Sequence, residues 1–142
     1  MEGDLKKAEE VFLVVGTDTG VGKTIFSGLF GHYLAGRGVL MSLAKPFCSG
    51  GVADIEFLKA VNSQIHSTKV NYWYGDKPVS PAAWELSTGD QIDFDDIVEK
   101  LRQEFKRNDR DIFIVEGVGG LLAPITLKHT VASLAQELCS KL

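Results

Sequence analysis

The sequence predicts an α/β fold, a parallel sheet flanked by helices, and three observations carry that expectation. Val11-Phe12-Leu13-Val14-Val15 and Ile112-Phe113-Ile114-Val115 are continuous apolar runs rich in β-branched residues, the pattern of strands buried on both faces. A glycine-punctuated loop, Gly16 to Gly22, follows the first run and leads straight into helical periodicity. Strand-like and helix-like segments then alternate along the chain, which favours one α/β domain over a bundle or a sandwich. With 142 residues, 44% hydrophobic and 24% charged, the chain is long and apolar enough for one sizeable core, expected over residues 1–142 as a single domain.

Taken in order, the first strand is expected over Val11–Val15. Phe26, Leu29, Phe30, Tyr33 and Leu34 then recur at the spacing of one helix face. Gly36-Arg37-Gly38 closes that helix, because glycine enters left-handed backbone at little cost. Val39–Ala44 reads as a second strand stopped by Pro46. A short helix is expected from about Asp54 to Val61. The stretch His66–Pro81 alternates at Val70, Tyr72 and Tyr74, with Pro78 and Pro81 as breakers, and reads as a strand or extended excursion. Phe94, Ile97, Val98, Leu101 and Phe105 mark another helix with Asp93 as its N-cap. After the strand Ile112–Val115, a final amphipathic helix carries Val131, Leu134, Ala135 and Leu138.

Composition narrows the function classes. A net charge of -4 argues against a partner such as nucleic acid, whose sequence-independent binding needs a basic surface. No apolar run approaches membrane-spanning length, and the polar stretch Met1–Glu10 has no apolar signal core. Cys48 and Cys139 lie far apart in no metal-ligand spacing. A cytoplasmic protein without membrane or nucleic-acid partners is the expectation.

The most informative feature is Gly16-Thr17-Asp18-Thr19-Gly20-Val21-Gly22-Lys23-Thr24, between a strand and a helix. Its glycines let successive N–H groups turn inward around phosphate oxygens, and the helix N-terminus adds a partial positive charge. Lys23 is placed to reach the outer phosphates, and Thr24 to complete a Mg²⁺ shell. The usual phosphate-loop pattern is G-x4-G-K-[ST], but Gly16 and Gly22 enclose five residues. The loop is therefore a lengthened variant.

That loop, followed by Lys45-Pro46 with Ser49-Gly50, and then by Glu116-Gly117-Val118-Gly119-Gly120 with Pro124, resembles the dethiobiotin synthetase family of the P-loop NTPases. The resemblance runs from Val11 to about Leu138 and corresponds to roughly the first two-thirds of a typical member. It departs from the family pattern at Ala82, where members carry histidine, and at Ser133, where they carry an acid. The resemblance implies an ATP- and Mg²⁺-dependent cyclo-ligase of biotin biosynthesis that closes a ring on 7,8-diaminononanoate with CO₂. It implies catalytic roles for Lys45 and Lys23, and nucleotide binding by Gly20, Val21, Gly22, Lys23, Thr24, Ile25, Asp54, Glu116, Gly117, Val118 and Gly119. Thr24, Asp54 and Glu116 match the Mg²⁺-holding positions, and Thr19 and Ser49 the substrate-binding ones. Bland alternatives stand beside these roles: Lys45 as a solvated lysine at a strand end, Asp54 as a helix cap, Glu116 as a loop carboxylate.

Two other functional readings stay open. One is another P-loop ATPase of the same superfamily; the other is a shortened, non-catalytic nucleotide-binding homologue or subunit. The resemblance also implies that the phosphate-loop strand, without the family's C-terminal strands, lies at an open sheet edge, so self-association such as a homodimer is expected. His32, His66 and His129 share no ligand spacing, and Trp73 and Trp84 read as local core. The charge cluster Lys100–Asp111 reads as the wet face of a helix and its exit loop.

Overall fold

The computed structural model describes residues 10–61, 70–106 and 110–139. His66 and nearly all of the polar amino-terminal stretch lie outside them. In chain order the elements are β1 (Glu10–Gly16), α1 (Lys23–Ala35), β2 (Met41–Ala44), β3 (Phe47–Ser49), α2 (Ala53–Val61), β4 (Trp73–Gly75), α3 (Pro81–Thr88), α4 (Phe94–Phe105), β5 (Ile112–Gly120) and α5 (Val131–Cys139). The expected α/β architecture is what the chain adopts.

The main sheet has the order β1-β5-β2, and both pairings are parallel. β5 is central and buries the apolar residues on both its faces, whereas β1, equally apolar and expected to be buried on both faces, lies at the edge and leaves Phe12 and Val15 exposed. Phe113, Ile114 and Val115 are almost wholly buried. Alternation sorts the side chains. Met41 and Leu43 from β2 join Ile114 from β5 in a core with Leu34, Ile55 and Leu58 from α1 and α2. Ala44, Phe113 and Val115 join Ile97, Leu101, Val131 and Leu134 from α4 and α5 on the other face. The period of two fixes which face each residue serves.

Helix ends follow their chemistry. Asp93 caps α4 as expected, accepting from the Asp96 amide at 2.9 Å. α3 is a helix that pattern reading misses, because Pro81 reads as a breaker. Proline is tolerated in the first helical turn, where its missing N–H has no intrahelical partner, and the Ser80 hydroxyl caps α3 by accepting from the Ala83 amide at 3.2 Å. The excursion before it contains β4, which pairs parallel with β3 as a separate two-stranded sheet. Asn71 ties this sheet in, donating to the carbonyls of Lys45, Pro46 and Trp73.

Three expectations need correction. The apolar stripe of α1 faces the core only through Leu34 and, in part, Phe30: Phe26, Leu29 and Tyr33 are all more than half exposed, and Ser27, Gly28 and Gly31 are buried in their place. Small residues win that face because α2 packs close; a Cβ on Gly28 would stand 2.6 Å from Cε1 of Phe57. The second strand begins at Met41 rather than Val39, and Leu40 instead accepts from the Asp111 and Ile112 amides. Lastly, the charged segment after Lys100 is only partly a wet face. Glu104 is buried and accepts from Ser42 Oγ at 3.5 Å, Arg110 Nε donates to the same hydroxyl at 3.0 Å, and Arg102 pairs with Glu137.

Among the described residues β1 has a sheet neighbour on one side only. Beside that edge, Phe12, Val15, Val21 and Phe26 are exposed, with Phe30 stacked on Phe26 and edge-on to Phe12. They border an apolar hollow of about 500 Å³. No helix among the described residues is long and apolar enough to cross a membrane.

Candidate active site

The site lies where the main sheet's strands end, the usual ligand position of an open parallel sheet. It is a cleft of about 640 Å³. Its floor follows from the sheet register. Ala44 of β2 is level with Val115 of β5, so Lys45 and Glu116 take the next rung. Both continue the face that carries Leu43 and Ile114, toward α1.

The loop from β1 to α1 turns on Gly20 and Gly22, whose φ angles of 73° and 101° suit glycine and strain other residues. Gly22 is the N-cap of α1, and among the described residues no side chain caps that end. No acidic residue occupies the first turn either. A 13-residue helix therefore presents amide donors and a partial positive charge to the cleft. Lys23 is folded back, its Nζ donating to the Asp18 carbonyl at 2.7 Å. Burial pulls its pKa below the ordinary lysine value; nearby Glu116 opposes the shift and Lys45 adds to it.

Next to the loop sits a knot of charge. Lys45 Nζ donates to Asp54 Oδ2 at 2.7 Å, to Glu116 Oε1 at 2.9 Å and to Thr24 Oγ1 at 3.3 Å. The Thr24 hydroxyl donates to Glu116 Oε1 at 2.7 Å. Glu116 is fully buried and Lys45 nearly so, whereas the Asp54 side chain is half exposed. Burial alone disfavours the Lys45 ammonium, but the Glu116 carboxylate and the hydrogen bonds to Asp54 and Glu116 hold its pKa above the ordinary lysine value. Burial pushes Asp54 up, yet the hydrogen bond and charge of Lys45 outweigh it and hold Asp54 below the ordinary value. Lys45, Asp54 and Glu116 thus occupy one ionic cluster.

The remaining residues singled out from sequence divide clearly. Thr19, Gly20, Gly22, Lys23, Thr24, Ile25, Lys45, Ser49, Asp54, Glu116, Val118 and Gly119 line the cleft. Val21 and Gly117 do not. Val21 borders the hollow beside β1, and Gly117 sits under Val131, where a Cβ would stand 2.9 Å from Cγ1. The cleft wall also includes Phe57, Pro78, Val79 and Ser80, which pattern reading misses. A tertiary contact places Pro78 there: Gly50, in left-handed backbone, lies so near Pro78 that a Cβ would stand 2.8 Å from its Cβ.

The donor set fits a hard divalent cation. Two carboxylates and a hydroxyl converge, and Glu116 Oε2 is a buried oxygen with no hydrogen-bond partner among the described residues. Among them no group of three or more His, Cys, Asp or Glu forms a dedicated metal cage. Few protein ligands and much remaining coordination is the habit of Mg²⁺ beside phosphates. Cys48 is buried behind the cluster, its thiol pKa raised by burial, and donates to the Gly51 carbonyl at 3.4 Å.

Known proteins match this sequence. A family profile described as "AAA domain" matches residues 10–141. The ATP-dependent dethiobiotin synthetase of Methanococcus vannielii is 33% identical over 90% of this chain and 60% of its own length. The same enzyme of Ralstonia nicotianae is 34% identical over 88% and 58%, and that of Methanocaldococcus jannaschii 30% identical over 90% and 61%. The chain therefore spans about 60% of the length of the curated relatives it matches. It belongs to the AAA-domain family of P-loop proteins, and its curated relatives include ATP-dependent dethiobiotin synthetases.

Proposed function

We propose that this chain carries the Mg·ATP-binding and reacting part of a dethiobiotin synthetase. In that reaction 7,8-diaminononanoate and CO₂ form a carbamate on one amine. A carbamate oxygen attacks the γ-phosphorus of ATP and ADP departs. The second amine then attacks the carbonyl carbon, phosphate leaves, and the ureido ring closes. The observation that carries the reading is the convergence of Thr24, Lys45, Asp54 and Glu116 at the mouth of an uncapped helix.

Phosphoryl transfer of this kind asks the protein for positioning and charge neutralisation more than covalent chemistry. The loop amides around Gly20 and Gly22 would cradle the polyphosphate, and Ile25 would lie beside the nucleotide. Thr24, Asp54 and Glu116 would hold Mg²⁺, whose chemistry there is neutralisation of polyphosphate charge. Lys23 and Lys45 would offset charge on the γ-phosphoryl group and the carbamate. Thr19 and Ser49 would hydrogen-bond the diamine, and the backbone of Val118 and Gly119 would border the reacting end.

A second reading is a nucleotide-binding chain that acts only when associated with another polypeptide, a second copy included. It is favoured by the exposed edge of β1 and the aromatic residues beside it. One assay separates the two. The chain is supplied with diaminononanoate, bicarbonate and Mg·ATP, and dethiobiotin and phosphate are measured. Product in proportion to enzyme supports the first reading. ATP binding without product supports the second, and substrate-independent ATP hydrolysis favours a different ATPase of the superfamily.

A further inference from the structure

The oxygens that the proposed function gives to Mg²⁺ already hold a cation. The Lys45 ammonium has three N–H donors, and its three partners are Asp54 Oδ2, Glu116 Oε1 and Thr24 Oγ1. We infer that Lys45 is the resident cation of this site: without nucleotide its ammonium occupies the space among these oxygens, and a divalent ion enters only as Lys45 withdraws toward an anionic ligand. The inference rests on the metal reading above and adds an order of events to it.

First, a fully buried carboxylate beside a second carboxylate needs a positive neighbour, and Lys45 lies against both. Second, Mg²⁺ takes its oxygens at about 2.0–2.1 Å. Glu116 Oε1 already accepts from both Lys45 and Thr24. An ammonium held on the same oxygen would face the divalent ion at short range, and like charges repel steeply in a poorly solvated site. Third, the lysine stem is long and starts at the end of β2, so its head can swing into the cleft without moving the strand. Lys23 shows a parallel arrangement, its ammonium bound to the loop's own Asp18 carbonyl. Both ammonium groups are thus engaged by the chain itself, and a polyphosphate anion is the natural competitor for both.

The test uses Mn²⁺, read by electron paramagnetic resonance, on the whole native chain and on Lys45→Met and Lys45→Gln. Without nucleotide, both variants are expected to bind Mn²⁺ at least about tenfold more tightly than the native chain. A non-hydrolysable ATP analogue should close most of that gap for the native chain. Native binding as tight as that of the variants, with no nucleotide present, overturns the inference. If the native chain fails to bind Mn²⁺ even with the analogue while the variants bind it alone, the inference stands and the nucleotide reading falls. If no form binds Mn²⁺, both fall. Should neither variant fold by circular dichroism, ¹⁵N spectroscopy of the native Lys45 ammonium, assigned through its own backbone, decides. Its resonance should hold with Mg²⁺ alone and move with the Mg·analogue complex; movement with Mg²⁺ alone counts against the inference.

Discussion

Glu116 is a fully buried carboxylate with one oxygen shared by two donors and the other without a hydrogen-bond partner among the described residues. Removing one partner of such a pair leaves the other charge uncompensated. Glu116→Ala is therefore expected to destabilise the nucleotide-free chain by about 3 kcal/mol, the low end of such losses because Asp54 still reaches Lys45. Combining Glu116→Gln with Lys45→Met should cost less than the sum of the two single changes, measured by urea unfolding in a double-mutant cycle. Asp54 gives a pH-dependent counterpart. Its folded-state pKa lies below the ordinary value because of Lys45, so its contribution is present above the unfolded value, about 3.9, and disappears as pH falls through the folded one. Native and Asp54→Asn melting temperatures should differ at neutral pH and converge as pH falls through the folded-state pKa, below the ordinary carboxylate value. The difference should be small, because Asp54 is half exposed and screened. A gap that widens toward acid would contradict the assigned partner.

At the scale of elements, most of the strands and helices were legible. β1, α2, α4 and α5 follow from runs and periodicities, because each sits on a continuous core. α3 was not, since Pro81 carries opposite meanings at a helix interior and in a first turn, and only the Ser80 cap distinguishes them. The burial of α1 was misread for a related reason. Periodicity finds a stripe of large apolar residues, but close packing against α2 selected the small one. The site was legible wherever glycine, lysine and acid occur at fixed spacing, as in the loop, Lys45 and Glu116. Its far wall at Pro78–Ser80 comes from a tertiary contact that no local pattern encodes. Gly120, at the end of β5, offers a test at this scale. A Cβ there would stand 2.8 Å from the Thr17 carbonyl oxygen, a backbone atom that cannot step aside. Gly120→Ala should push the loop from β5, cost about 1–3 kcal/mol and weaken ATP-analogue binding in calorimetry. Unchanged affinity and stability would show that the loop yields freely.

At the scale of the whole molecule, the side of β1 that has no neighbour among the described residues dominates. Apolar residues beside an unpaired strand edge promote association, and the cluster of Phe12, Val15, Val21 and Phe26 is of that kind. Analytical ultracentrifugation of the native chain should show mass rising with concentration. Phe26→Lys combined with Leu29→Glu, both more than half exposed, should shift it toward monomer without lowering the melting temperature. A native chain that stays monomeric throughout would remove the case for an occupant of that edge. The rung shared by Lys45 and Glu116 has a separate consequence, for folding fidelity. Because side chains alternate, a one-residue slip of β2 along β5 would send Lys45 to the opposite face, among the apolar residues of α4 and α5. Glu116 would then be left without its counter-charge in the interior. An apolar core tolerates such sliding, whereas this ion pair penalises it from both sides. The groups proposed for chemistry would thus also act as the keel that keeps the sheet in one alignment.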